Sequence, residues 1–244
     1  MQPIYTREFE ITDNMVDRYG ALRPSSVLFF AQEVAGEHCK ALAVDYDTLA
    51  RRRMFWAVTR HRVQITRMPR RGETIRIETW HMPTTRVAYP RSLVAYDREG
   101  NECFRSIALW VLMDLDTRNM ILPGKSGIEL AGSLRGTELA IPKGVLSTAL
   151  GNQRSRSVCF TDLDRNGHMN NTRYLDWIDD LLPSAFHCEH TLKEFTVCYL
   201  SEAREGQSLN LKWDFPANGI LQVDALRHTE DREERVFCAK MLFE

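Results

Sequence analysis

The 244 residues are 43% hydrophobic and 27% charged, with a formal net charge of −1. That length holds two compact units with cores of their own, or one pseudo-symmetric domain. A balance this close to neutral argues against a general nucleic-acid or membrane-surface binder, which needs a large basic excess.

The opening stretch MQPIYTREFEITD lacks a basic region followed by an apolar core, and no apolar run reaches bilayer-spanning length, so a cytoplasmic chain is expected. The first element is a helix, predicted over 25–53. Its apolar positions Val27, Phe30, Ala31 and Val34 recur at helical spacing. Alternating segments then predict strands at 56–65, 74–80, 87–96 and 103–113. The turn DREGN between the last two, with Gly100 able to take positive φ, is a hairpin signal. Residues 119–153 contain six glycines and two prolines with little period, and are expected to link the halves. Their GKS run at Gly124 is not a phosphate loop, because Asn119 stands where that motif needs a glycine. A second helix is predicted over 171–182, stopping at Pro183. Strands follow at 194–199, 208–215, 220–228 and 235–243.

This order is one pattern written twice. DRYGALRPSSVLFF at Asp17 shares its frame with DRNGHMNNTRYLDW at Asp164, matching Arg18 to Arg165, Gly20 to Gly167 and Leu28 to Leu175. GETIRIETW at Gly72 likewise resembles GQSLNLKWD at Gly206. The expected organisation is an N-terminal unit over 1–118, a linker over 119–153 and a C-terminal unit over 154–244. The fold class is α+β, each unit an antiparallel sheet wrapped round a central helix.

The copies differ where chemistry can sit. Asn166 and His168 stand where the first copy has Tyr19 and Ala21, and Glu202 stands opposite Met68. A lone loop histidine or turn glutamate is ordinarily a solvated side chain. Selective loss of both in one copy points to function instead, because fold requirements are shared between copies and chemistry need not be. His168 can accept or hold a proton, and Glu202 is a candidate base. Asn170 or Asn171 is the expected N-cap of the second helix, and helix N–H groups from His168 or Met169 onwards are expected to face a developing oxyanion. No GxSxG nucleophile elbow appears. The six cysteines show no CxxC pair and read as reduced core residues. The HCEH run at His187–His190 reads as a polar loop rather than a zinc site.

DLDRNGHMNNTRYLDW, Asp162 to Trp177, together with YLSEAREGQS, Tyr199 to Ser208, resembles the acyl-acyl carrier protein thioesterases, in which two hot-dog folds are fused in one chain. The resemblance implies thioester hydrolysis with Asp164, Asn166, His168 and Glu202 as the catalytic set, no cofactor and no metal. Some plant members carry a cysteine directly after the acidic residue; Ala203 stands there in this chain. The implied partner is acyl carrier protein bearing a phosphopantetheine-linked acyl chain, with no nucleic acid or membrane, and a homodimer of the fused pair is allowed. The first copy is then the natural acyl pocket, with Val27, Phe29, Phe30, Val34, Phe55 and Trp56 as candidates. Arg51, Arg52, Arg53, Arg60, Arg67, Arg70 and Arg71 form a candidate docking surface for the acidic carrier. The competing expectations are an acyl-CoA thioesterase, a dehydratase using the same histidine and glutamate, and a non-catalytic acyl-binding protein.

Overall fold

The computed structural model describes residues 3–229 and 232–244. Two compact units divide between Pro142 and Lys143, inside the stretch expected to link them.

Unit 1 opens with β1 (Ile4–Glu10), followed by α1 (Pro24–Ala41), α2 (Tyr46–Arg51), β2 (Met54–Ile65), β3 (Thr74–His81), β4 (Tyr89–Tyr96), β5 (Glu102–Asp114), β6 (Met120–Ile121) and α3 (Pro123–Ser126). Its antiparallel sheet runs β1-β3-β4-β5-β2, with β6 also pairing β5. Val27, Leu28, Phe30 and Val34 of α1 are all but fully buried, as are Ile75, Ile77, Phe104 and Ile107 of the sheet. The single helix expected over 25–53 is two. The chain leaves α1 through Ala43 at φ 54°, and Asp45 caps α2 by accepting the N–H of Thr48 at 3.2 Å. The DREGN turn closes the β4–β5 hairpin, with Gly100 at φ 84°.

Unit 2 contains β7 (Asn152–Ser157), α4 (Arg173–Asp179), α5 (Ser184–Glu189), β8 (Leu192–Tyr199), β9 (Ser208–Ala217), β10 (Ile220–His228) and β11 (Glu233–Phe243). Its antiparallel sheet runs β8-β11-β10-β9-β7. Tyr174, Leu175, Trp177 and Ile178 of α4 are buried, and the Tyr174 ring stacks on Phe237 at 4.5 Å. This helix is shorter than expected. Its last turn carries Asp179 and no basic residue, which the negative end of the helix dipole disfavours. The HCEH run is helix and cap rather than loop: His187 and Cys188 lie in α5, His187 Nε2 meets Asp179 O at 3.0 Å, and His190 Nδ1 meets Phe186 O at 3.1 Å.

The stretch between the sheets is ordered by side chains from each unit. Toward unit 1, Ser126 Oγ bonds Tyr89 OH at 2.7 Å, Trp80 Nε1 donates to Glu138 at 3.1 Å, and Arg105 donates to Thr137 O at 2.7 Å. Toward unit 2, Arg235 donates to Val145 O and Gln222 to Leu146 O, both at 2.8 Å. Cys39, Cys103, Cys198 and Cys238 are buried, whereas Cys159 and Cys188 are exposed, so the cysteines are not all core residues.

Candidate active site

Asp164 organises the loop before α4. Its Oδ1 accepts the N–H groups of Asn166 at 2.8 Å and His168 at 3.3 Å, and its Oδ2 accepts Asn166 Nδ2 at 3.3 Å. The main chain closes the same turn, with Asp164 N–H donating to His168 O at 2.8 Å and Gly167 N–H to Asp164 O at 3.0 Å. Gly167 sits at φ 74°, the left-handed region that a side chain disfavours.

A two-residue antiparallel contact then fixes the loop against the turn before β9. Met169 N–H donates to Ala203 O at 2.8 Å, and His168 bridges Arg204. Glu202 is thereby carried to His168, with Nε2 and Oε2 3.1 Å apart. The histidine side chain is 12% exposed and the glutamate 41%, so a sheltered imidazole holds a carboxylate that solvent and ligands can reach. Arg204 lies 4.0 Å from the same carboxylate oxygen.

All four residues singled out from the sequence, Asp164, Asn166, His168 and Glu202, share this loop pair. Asp164 is its organiser, because its bonds run to the turn itself. Two expectations about the main chain are corrected. The N–H groups of His168 and Met169 are taken by Asp164 and Ala203, so neither is open to an oxyanion. The helix N-cap is Thr172, whose N–H and hydroxyl both donate to Asn170 Oδ1 at 3.0 and 2.9 Å.

Arg227 of β10 was not legible in the sequence. Its guanidinium donates to Glu202 O and Gln207 Oε1, both at 2.9 Å, to Ser201 Oγ at 3.0 Å and to Glu234 at 2.5 Å, clamping the turn that presents Glu202. That bond also holds the Glu234 carboxyl below its ordinary range. Only the tertiary pairing of β10 with β9 and β11 brings this arginine near the turn. Tyr199 OH donates to Asn171 O at 3.0 Å; burial pushes its phenol well up, keeping the proton that anchors the approach to α4.

The equivalent turn in unit 1 is built the same way with different side chains. Asp17 Oδ1 accepts Tyr19 N–H at 2.8 Å and Ala21 N–H at 3.0 Å, Gly20 stands at φ 77°, Leu22 N–H donates to Pro69 O, and Ala21 bridges Arg70. The backbone therefore sets Ala21 opposite His168 and Met68 opposite Glu202.

Of the residues named for an acyl pocket, Val27, Phe30 and Val34 are buried, Phe29 is exposed, and Trp56 lines a cavity of unit 1 together with Gln32, Ala35, Cys39, His81 and Trp110. Each arginine of the candidate docking group has a partner within unit 1. Arg51 donates to Thr48, Arg52 to Ser126 O, Arg60 to Pro142 O and Arg70 to Tyr19 O, while Arg53 pairs with Asp116, Arg67 with Glu73 and Asp97, and Arg71 with Asp13.

Tandem hot-dog units, one of which carries a histidine and a carboxylate on paired turns, define a double hot-dog protein with one equipped copy. The chain belongs to the acyl-ACP thioesterase family: the family's N-terminal domain model matches residues 2–122 and its C-terminal domain model residues 148–239. A dodecanoyl-[acyl-carrier-protein] hydrolase of Cinnamomum camphora is 26% identical over 217 residues, covering 82% of this chain and 56% of its own. An oleoyl-acyl carrier protein thioesterase of Coriandrum sativum is 26% identical over 192 residues, covering 71% and 52%. The chain thus spans about half the length of these relatives. Among solved structures, an acyl-ACP thioesterase from Bacteroides thetaiotaomicron superposes with a TM-score of 0.90 at 23% identity, covering 99% of this chain and 98% of that one. The 12:0-ACP thioesterase from Umbellularia californica gives 0.83 at 20% identity, covering 100% and 98%. No helix among the described residues is long and apolar enough to cross a membrane.

Proposed function

We propose that this protein hydrolyses the thioester of fatty acyl-acyl carrier protein, releasing free fatty acid and carrier in fatty acid biosynthesis. The observation that carries this reading is the contact of His168 with Glu202 on a scaffold whose twin holds Ala21 and Met68. His168 donates its Nε2–H to Glu202 and fixes the carboxylate. Glu202 takes a proton from water as the water oxygen adds to the thioester carbonyl carbon. Asn166 Nδ2 spends one N–H on Asp164, and its second N–H meets the oxyanion that forms. Collapse of that intermediate breaks the C–S bond, and the proton held by Glu202 passes to sulfur, giving acid and thiol. Family membership supports the carrier-bound acyl group as substrate.

The test is release of free thiol from carrier protein loaded with octanoyl to octadecanoyl chains, beside the matching CoA thioesters and the His168→Ala protein. Faster release from the carrier, lost in the variant, is expected. Faster release from CoA would move the reading to an acyl-CoA thioesterase, and release unaffected by the variant would remove His168 from the mechanism.

A further inference from the structure

The turn that carries Glu202 is fastened at both ends by main-chain bonds. The N–H groups of Leu200 and Ser201 donate to Val236 O at 2.9 and 3.1 Å, and Gly206 N–H donates to Val158 O at 2.9 Å. Between those ends the Glu202 carbonyl is taken by a side chain, the guanidinium of Arg227, at 2.9 Å. The same group reaches Gln207 Oε1 at 2.9 Å, Ser201 Oγ at 3.0 Å and Glu234 at 2.5 Å, and the arginine side chain is only 17% exposed. A planar fork with five donors spans these four acceptors at once, which a lysine ammonium cannot do.

Unit 1 clamps its matching turn with the charges exchanged. Setting Gly206 against Gly72 places Ser201 opposite Arg67 and Gln207 opposite Glu73. Asn210 then stands opposite Arg76, and their strand partners are Leu226 and Tyr96, so the next residues, Arg227 and Asp97, also match. Here the arginine belongs to the turn: Arg67 donates to Glu73 at 2.7 Å and to Asp97 at 3.0 Å. A clamp between these places is therefore a demand of the fold, met in either polarity. The exchange adds something chemical. Asp97 is a carboxylate that only accepts, so from the strand it cannot bond the carbonyl of Met68, whereas Arg227 donates to the carbonyl of Glu202.

We infer that Arg227 is a positioning residue for Glu202. By fixing the main chain of the turn it sets the carboxylate 3.1 Å from His168 Nε2, and it acts through Glu202 rather than on the substrate. This rests on the thioesterase reading of the His168 and Glu202 pair. Misplacing a reacting group by about 1 Å costs about 10²-fold in rate, so a turn freed of its central tie loses turnover while the contacts that bind the acyl group stay in place.

The experiment is a double-mutant cycle on thioester hydrolysis, read together with the imidazole resonances of His168. Arg227→Gln should lower kcat by about 10- to 100-fold with KM unchanged, and should move the His168 resonances as Glu202→Gln moves them. In the Glu202→Gln background the same substitution should lower the residual rate by no more than about twofold, because nothing is left to position. Arg227→Lys keeps the charge beside Glu234 but not the fork. It should melt near the wild type and still lose kcat, and it decides the matter if Arg227→Gln does not fold. Equal losses in both backgrounds, unchanged kcat in either arginine variant, or unmoved His168 resonances would each overturn the inference. No hydrolysis by the wild-type chain would overturn the thioesterase reading and this inference with it.

Discussion

The turn at Asp17 and the turn at Asp164 share nearly every main-chain bond and differ in what they carry. In both, an aspartate accepts two backbone N–H groups, a glycine takes positive φ, and a short antiparallel contact ties the loop to an arginine two residues beyond the key position, Arg70 or Arg204. The scaffold alone therefore makes no active site. One copy offers a methyl and a thioether where the other offers an imidazole and a carboxylate, so whatever Asp17 and Gly20 do for stability, Asp164 and Gly167 do too, and the remainder is available to chemistry.

Turnover is where the copies should separate most. His168→Ala or Glu202→Ala should cut thioester hydrolysis by about 10²- to 10⁴-fold while leaving the thermal melt cooperative; near-normal rates would dissolve the distinction between the loops. Acid sensitivity should mark the other copy. Strand β2 places His61 where β8 places Phe195, and burial lowers the His61 imidazole to about 4 from 6.5. The unfolded chain then takes up the proton more readily than the folded one, so stability is full above about pH 6.5 and is lost as pH falls towards 4. The loss amounts to about 3 kcal/mol. Denaturant titrations across that window should show a shallower slope for His61→Phe, which borrows the residue of the second copy; an unchanged slope would mean that other groups control acid unfolding.

A paired substitution sharpens the comparison further. Asp17→Ala and Asp164→Ala should each cost about 1–3 kcal/mol through the two backbone N–H bonds that each carboxylate accepts, but only the second should depress activity. Unequal melting shifts would show that the turns are not energetic equivalents. The smallest effect belongs to the glycines. Gly20→Ala and Gly167→Ala should each destabilise by about 1 kcal/mol, because a side chain strains the left-handed backbone, and chemical denaturation should find the two alike.

Much of this was legible in the chain. Eight strands fell close to their predicted places because half-buried strands alternate apolar and polar residues, as in β3 and β10. Strands β1 and β7 were missed because they pair on one side only; β7, NQRSRS, is almost wholly exposed and has no apolar period to read. The break between α1 and α2 was missed because the apolar spacing runs on across Ala43, whose positive φ no residue type announces. Which apolar positions line a cavity was not legible for a related reason: hydrophobicity marks burial but cannot tell a filled core from the wall of a cavity.

The repeat, and within it the substitutions at Asn166, His168 and Glu202, determined from sequence alone that the two copies share a frame and differ in the polar side chains they carry, since residues kept in both answer to the fold and residues kept in one need not. Tertiary structure decided what those residues touch. The approach of His168 to Glu202 and the grip of Arg227 on the Glu202 turn depend on strands and loops far apart in the chain being brought within hydrogen-bonding range. Spacing along a sequence carries no measure of such distances.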